Sequence, residues 1–258
     1  MACNIYLRQT SHASDLINLL PAHAVIEMHH PRVSPVNFFQ NGFILQLTPQ
    51  DQALVQQICV PVELKSGQIL CGSGHEANAE VYFLTGATVA LLVQDHLNAT
   101  VAVGLLGTEG VVGISSVLAS SSDHLTFQVQ TSGAAWCASS AALRSVMSAK
   151  PEVLWFVSRY LWQLVEHIAQ VTAEIQSHDI RRRLASWLLL SAEKAQTPTL
   201  HLTHEHLARM LGVRRVSITL AAGELRDLGL LNYSRGCLHI VDKAALERMV
   251  HVNGWTAG

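Results

Sequence analysis

The spacing of the hydrophobic positions changes twice along the chain, and each spacing predicts a different kind of element. From Phe43 to Val60 the apolar residues recur with a helical period, and Thr48 and Pro49 suit the N-cap and first position of that helix. From Val62 to about Ala138 short apolar runs alternate with glycines, which is typical of antiparallel strands in a sandwich or jelly roll. Beyond Pro151 the period is helical again. The pattern therefore predicts an α+β chain.

Seven apolar residues after Pro151 recur in alternating steps of three and four, which is the a/d pattern of a coiled coil. They are Leu154, Val157, Leu161, Leu164, Ile168, Val171 and Ile175. Two copies of the chain could pair along this stripe, or the stripe could pack against the chain's own β-rich part. The length of the run without a helix breaker favours the first alternative and predicts a homodimer.

The segment from Thr203 to Leu228 predicts two helices joined by a tight turn. Thr203 is suited to cap the first helix, Gly212 to end it, and the second helix begins near Arg214. Arginines and hydroxyls at the start of the second helix are typical of a helix-turn-helix, whose second helix enters the DNA major groove. Spacing alone also allows an ordinary helical hairpin. The inner stripe of the second helix is predicted as Ile218, Ala221, Ala222, Leu225 and Leu228.

The segments on either side of these two helices complete the pattern of a winged helix. The run from Asp179 to Glu193 predicts an amphipathic helix with Ile180, Leu184, Trp187 and Leu188 inward and Arg181 to Arg183 outward. Downstream, LLNYSRGCLHIVD alternates around Arg235, as two strands with a tight turn would. Arg235 would then lie at the tip of the wing, where it could contact a phosphate.

Charge is distributed unevenly between the two parts of the chain. Residues 1–178 hold six Lys and Arg against twelve Asp and Glu, a net charge of −6, whereas residues 179–258 hold eleven against seven, a net charge of +4. The excess of basic residues accompanies the predicted helix-turn-helix and favours a polyanion as its partner. The absence of a membrane-length apolar run or a secretory signal pattern predicts a cytoplasmic protein. Five scattered cysteines predict reduced thiols.

The C-terminal sequence LTHEHLARMLGVRRVSITLAAGELRDLGLLNYSRGCLHIVD resembles the signature of the Crp/Fnr family of bacterial transcription regulators. KSGQIL, VYFLTGAT and EGVVGI are similar to that family's glycine-framed strands. The resemblance implies a cyclic-nucleotide-binding-like sensor domain over residues 41–149 after a poorly defined leader, 1–40. It further implies a dimerisation helix over 150–178 and a winged helix-turn-helix domain over 179–258. Its expected partners are double-stranded promoter DNA with an inverted repeat and RNA polymerase.

The resemblance places the DNA contacts on the two helices and the wing. Where the best-known activators of the family carry glutamate and arginine, this chain has Val216 and Leu220, so its operator is expected to differ. Arg215 could reach guanine O6 and N7, and Val216 a thymine methyl group. The full set of expected DNA-binding residues is Thr203, His204, Arg214, Arg215, Val216, Ser217, Thr219 and Arg235.

The expected effector pocket departs from the family's cyclic-nucleotide cassette. Ile114 replaces the ribose-binding glutamate, and Asp123 or a neighbour stands where an arginine would neutralise the phosphate, so cyclic AMP is not expected. An iron–sulfur cluster is not expected either, because only Cys3 lies near the N-terminus. Haem stays open, with His29, His30, His75 and His124 as candidates. The residues expected to line the pocket are Gly113, Ile114, Ser115, Asp123, His124 and Thr126.

The sequence offers little support for two functions other than DNA binding. A metal-dependent enzyme on a jelly roll needs converging ligands, and the nearest pattern, His75-Glu76-Ala77 with Glu80, has alanine at the second histidine position. No catalytic triad or phosphate loop is visible, so the chain is not expected to be an enzyme. A winged domain that binds protein would present aromatic or aliphatic anchors, whereas Arg214 and Arg215 favour DNA.

Overall fold

The computed structural model describes residues 37–71, 80–94, 100–118, 124–234 and 236–251. Two four-stranded antiparallel sheets form its N-terminal part, in the orders β1-β8-β3-β6 and β2-β7-β4-β5. The predicted antiparallel sandwich is thereby confirmed. The strands are β1 Val60–Leu64, β2 Ile69–Cys71, β3 Glu80–Leu84, β4 Thr88–Gln94, β5 Thr100–Leu106, β6 Val111–Val112, β7 Leu125–Thr131 and β8 Gly133–Ser139.

The interior between the two sheets is apolar and closely packed. Leu64, Leu84, Val89 and Leu91 are buried there without measurable exposure. Alternating positions along each strand supply these side chains, because successive residues of a strand face opposite sides.

A helical layer covers the other face of the first sheet. It contains α1 Pro49–Gln57, the short α2 Ile114–Val117 and α3 Ser140–Ala149. Thr48 caps α1 as predicted, since its hydroxyl accepts a hydrogen bond from the Asp51 N–H. Phe38, within the predicted leader, is buried and packs edge-on against Trp136 at 5.2 Å, so the packed domain begins before residue 41. Residues 1–36 of that leader lie outside the described residues.

The long helix α4, Pro151–Ser177, is anchored on the sandwich by one of its faces. Val153 and Val157 are buried in the helical layer, and the Tyr160 hydroxyl both donates to Val111 O and accepts from Val111 N–H, each at 2.9 Å. Burial raises the pKa of Tyr160, so this phenol stays protonated. Further along, His167 Nε2 accepts the Leu105 N–H at 3.1 Å.

The C-terminal part has the predicted winged-helix layout. Its helices are α5 Ile180–Lys194, α6 His204–Leu211, α7 Arg215–Asp227 and α8 Lys243–His251. The strands β9 Thr199–Leu200, β10 Leu231–Ser234 and β11 Cys237–Ile240 form a sheet in the order β10-β11-β9. Leu184, Trp187 and Leu188 of α5 are buried as predicted. Among the described residues, no helix combines the length and apolarity needed to cross a bilayer.

Two side chains of this part differ from their prediction. Leu228, expected on the inner stripe of α7, is exposed because it lies one residue beyond the helix end. Arg183, expected to point outward, instead donates from Nη2 to the Leu211 carbonyl oxygen at the end of α6. That carbonyl belongs to the last turn of a helix, where no partner within the helix is available.

The winged domain packs directly on the outer face of the second sheet. Ala90, Leu92, Ala102 and Leu105 of β4 and β5 share one apolar core with buried residues of α5, α6 and α7. Large apolar interfaces of this kind restrict relative motion of domains. The sandwich therefore holds the helix-turn-helix in place within one chain.

Polar contacts reinforce this interface between the domains. Gln130 lies at a bulge, since Thr88 pairs with Thr131 and the next residue, Val89, pairs with Val129. The bulge lets Gln130 donate to the buried Ser191 Oγ of α5 at 3.1 Å. At the edge, Lys194 Nζ lies 2.8 Å from Glu109 Oε1.

Candidate nucleic-acid interface

The turn between α6 and α7 sets the angle of the candidate recognition helix. Thr203 Oγ1 accepts from the His206 N–H at 3.1 Å and so caps α6 as predicted. Gly212 ends α6 with φ 63°, a left-handed conformation that glycine adopts without strain. The Val213 N–H then donates to Ala208 O at 2.9 Å. These local contacts fix the start of α7 beside the end of α6.

The outer face of α7 is free of contacts that would cover it within the described residues. Arg214 and Arg215 are exposed, and the side chains of Val216 and Leu220 are 68% and 65% exposed. Ile218, Ala221, Ala222 and Leu225 face inward and are buried. Arg214 is the N-cap residue and makes no side-chain capping bond, so the first N–H groups of α7 keep the positive end of the helix dipole available.

His204 joins three elements of the candidate interface. Its Nδ1 lies 3.0 Å from Thr219 Oγ1, and Thr219 Oγ1 donates to Arg215 O at 3.1 Å. Because the only hydroxyl hydrogen is used in the second bond, Nδ1–H of His204 is the donor in the first. The imidazole also stacks on Tyr233 of β10, with ring centroids 4.3 Å apart. His204 therefore connects helix α6 with α7 and the wing.

The histidines of α6 are kept neutral by their surroundings. Burial, and then the nearby Arg215, lower the pKa of His204. Burial and Arg209 lower the pKa of His206 to about 4. Neither imidazole therefore adds positive charge to this surface in the free protein near neutral pH.

The wing lies beside the N-terminus of α6. Strands β10 and β11 pair antiparallel, with Tyr233 opposite Leu238. A Cβ placed on Gly236 would lie 3.6 Å from Thr203 Cγ2, which brings the wing turn next to the α6 cap. Arg235, predicted at the tip of this turn, lies outside the described residues. Thr203, His204, Thr219 and the exposed start of α7 thus form one continuous surface.

The residues of the predicted dimer stripe on α4 differ in their exposure to solvent. Val157 and Val171 are buried against the chain's own core, whereas Leu154 is exposed, and Leu161, Leu164, Ile168 and Ile175 are partly buried. Helix α4 also exposes large apolar side chains outside the predicted stripe: Trp155 at 69%, Trp162 at 64% and Val165. The available apolar surface of α4 is therefore rotated away from the predicted a/d positions.

The described residues of the predicted effector pocket lie in different surroundings. Ile114 is buried in the helical layer, and His124 is exposed. Thr126 pairs with Leu92, whose side chain faces the winged domain, so Thr126 also lies on the outer face of the sheet. Gly113 is packed so closely that a Cβ there would lie 2.1 Å from Glu80 O. Asp123 lies outside the described residues, as do the haem candidates His29, His30 and His75 and the metal-site candidates Glu76 and Ala77.

Two side-chain contacts in the sandwich were not predicted from the sequence pattern. The Tyr82 hydroxyl donates to Glu80 Oε2 at 2.5 Å, and Ser115 Oγ lies 3.9 Å from Cys71 Sγ. Burial is the main cause that raises the pKa of Tyr82, followed by its hydrogen bond to Glu80. Burial likewise raises the pKa of the Cys137 thiol. The Tyr82 phenol and the Cys137 thiol are therefore held protonated in the interior.

Comparisons with known proteins agree with this architecture. The model of the Crp-like helix-turn-helix domain matches residues 182–249. The transcriptional regulator LdrP of Thermus thermophilus is 30% identical over 103 residues, which is 38% of this chain and 53% of LdrP. The chain thus matches about half the length of that relative.

Two solved structures share the fold over most of the chain. A protein from Eubacterium rectale assigned to the Crp/Fnr family has 18% identity and a TM-score of 0.65, covering 82% of this chain and 99% of that one. A transcriptional regulator of the CRP family from Thermus thermophilus, TTHB099, has 20% identity and a TM-score of 0.61, covering 73% and 95%. The chain thus shares the fold of these two structures, with a β-sandwich, a long helix and a helix-turn-helix in the same order, and residues 182–249 match a Crp-like helix-turn-helix domain.

Proposed function

We propose that the protein is a homodimeric transcription regulator that binds promoter DNA with an inverted repeat. The observation that carries this proposal is the outer face of α7, where exposed Arg214 and Arg215 stand beside the wing with no covering element among the described residues. An arginine at the start of a recognition helix can donate two hydrogen bonds to guanine O6 and N7. The amino end of α7 adds a favourable potential for phosphate.

The proposed second copy of the chain would pack against the exposed face of α4. Trp155, Trp162 and Val165 leave a large apolar surface in solvent on a helix whose opposite face is already anchored on the sandwich. Exposed aromatic residues in a continuous patch are typical of an interaction surface. Two copies related by a two-fold axis along α4 would present two recognition helices to half-sites about 34 Å apart. RNA polymerase bound at the same promoter is the further partner that we propose.

The sensor domain is proposed to respond to something other than cyclic AMP. Ile114, which replaces the expected ribose-binding carboxylate, is buried in an apolar core and offers no hydrogen bond to a sugar. A haem or another small ligand remains the alternative for this domain, and an absorption spectrum of the purified protein tests haem directly.

The DNA-binding proposal is tested by selecting duplexes from a random pool and measuring affinity across a salt series. We expect an inverted repeat to be selected and its affinity to fall steeply with salt, because phosphate contacts release counterions. Arg215→Ala should weaken binding by about 1–3 kcal/mol and relax the base preference. Arg226→Ala is the matched control, since Arg226 lies in the last turn of α7 and is paired with Asp227 at 3.0 Å.

Two results would count against DNA binding. One is association that does not depend on salt, and the other is the absence of any preferred repeat after selection. An unchanged affinity of Arg215→Ala for the selected duplex would remove the base-reading role of that arginine while leaving phosphate binding in place.

A further inference from the structure

We infer that α7 reads the C5-methyl groups of thymine in the major groove through a small aliphatic surface formed by Val216 and Leu220. This inference rests on the proposed function and specifies the kind of half-site that the helix recognises. Val216 and Leu220 are one helical turn apart, and both keep about two thirds of their side-chain surface in solvent. No residue between Val216 and Leu220 carries a charge.

Thr219, next to this aliphatic surface, is not a free hydrogen-bond donor. Its hydroxyl hydrogen is directed to Arg215 O, and its oxygen accepts from His204 Nδ1–H. A base edge would have to break one of these contacts in order to receive a hydrogen bond from Thr219. The surface formed by Val216 and Leu220 is therefore apolar, whereas Arg215 at the start of the helix is exposed and can donate hydrogen bonds to a base.

Charge around the surface identifies its occupant as DNA. Exposed Arg214 and Arg215 lie immediately before Val216, at the positive end of α7. The acidic residues of the helix, Glu224 and Asp227, lie in its second half, and each is within 3.4 Å of an arginine side chain. A polyanion with methyl groups on an exposed edge matches this arrangement, and in the major groove only thymine presents such a methyl group among the four standard bases.

The helix geometry also gives the spacing of the methyl groups. Four residues of an α-helix rise about 6 Å, and successive base pairs are separated by about 3.4 Å. Val216 and Leu220 should therefore contact thymines about two base steps apart. Gly223 continues the face with open space around it, so the groove wall can approach the helix closely beyond Leu220.

The test replaces each thymine of the selected duplex, one at a time, by deoxyuridine, which pairs in the same way but lacks the methyl group. We expect binding to weaken about fourfold at each of two positions about two base steps apart. Leu220→Ala should remove this sensitivity at one of them and Val216→Ala at the other. Leu228→Ala is the matched control, because Leu228 is similarly exposed but lies beyond the end of α7.

Equal affinity for every deoxyuridine duplex would overturn the inference while leaving the proposed function intact, and would leave Val216 and Leu220 as anchors for a protein partner. A gain in affinity only when cytosine is replaced by 5-methylcytosine would assign the methyl group to that base and also overturn the inference about thymine. Failure to bind any duplex would instead contradict the proposed function itself.

Discussion

Helices α4 and α7 both leave apolar side chains in solvent, but the charges around those side chains differ. On α4 the exposed apolar residues include two tryptophans, and the charged residues of the helix are Glu152, Arg159, Glu166 and Glu174. On α7 they are two aliphatic residues that directly follow a pair of exposed arginines. A predominantly acidic helix repels a phosphate backbone, whereas an arginine-led helix attracts one. The same feature, an uncovered apolar face, thus supports a protein interface on one helix and a groove-reading surface on the other.

The exposed aromatic residues of α4 also favour a protein interface on this helix. Tryptophan provides a large contact area with little loss of side-chain freedom and is enriched at the centres of protein interfaces. The buried face of α4, with Val153, Val157 and Tyr160, already belongs to its own domain, so a partner would cover only the rotated, exposed face.

The largest effect is expected from a charge placed in the α4 face. Val165→Glu would bury a carboxylate against the proposed second copy, so the dissociation constant of the dimer should increase at least about 100-fold. The inverted-repeat duplex should then be bound only as weakly as one half-site. Analytical ultracentrifugation measures the first effect and fluorescence anisotropy the second.

Gln163→Glu is the matched control for this prediction. Gln163 is exposed on the same helix, about half a turn away from Val165, and should tolerate the same charge. If both variants remained dimeric with unchanged affinity, the pairing surface would lie elsewhere than on α4.

A charge placed in the α7 face should give a smaller effect of a different kind. Leu220→Glu introduces a carboxylate next to the phosphate backbone, and we expect the affinity for the selected duplex to fall about 10-fold or more. The dimer should be unaffected, because Leu220 is remote in sequence from α4 and lies on the exposed face of the winged domain. Loss of the dimer in Leu220→Glu, or an unchanged affinity for DNA, would contradict the proposal that α7 binds DNA whereas α4 binds a second copy.

The sequence predicted the elements that depend on local signals. Thr48, Thr203 and Gly212 mark helix ends through contacts within a few residues, and all three act as expected. The heptad pattern predicted helix α4 but could not identify the surface against which it packs. Val157 and Val171 fit the same period whether they face the chain's own sandwich or a second chain. Periodicity cannot distinguish two apolar surroundings.

Contacts between residues far apart in sequence could not be predicted from local sequence signals. The Gln130–Ser191 hydrogen bond depends on a strand bulge, and the stacking of His204 on Tyr233 depends on the position of the wing. The effector-pocket residues were chosen by alignment with a cassette that this chain does not retain, and Ile114 and Thr126 lie in different surroundings. The effector pocket stays a prediction.

The smallest expected effect is on the pH dependence of the free energy of unfolding, through His206 of α6, the helix that packs against α7. Burial, and secondarily Arg209, lower the pKa of His206 in α6 to about 4, compared with about 6.5 in an unfolded chain. The unfolded state therefore binds the proton more tightly, and the stabilisation is complete above about pH 6.5 and lost as the pH falls towards about 4. Between about pH 7 and about pH 5.5 the free energy of unfolding should fall by about 1 kcal/mol through this group.

His206→Gln removes this titration and keeps a polar side chain, so its free energy of unfolding should depend less on pH than that of the wild type, as measured by urea denaturation across the pH range. His167 and His204, whose pKa values are also lowered by burial, are present in both proteins, and their contributions cancel in the difference. His201→Gln, at an exposed position just before α6, is the control for replacing a histidine by glutamine. Parallel profiles for His206→Gln and the wild type would show that the burial of His206 in α6 does not cause the pH dependence of the free energy of unfolding.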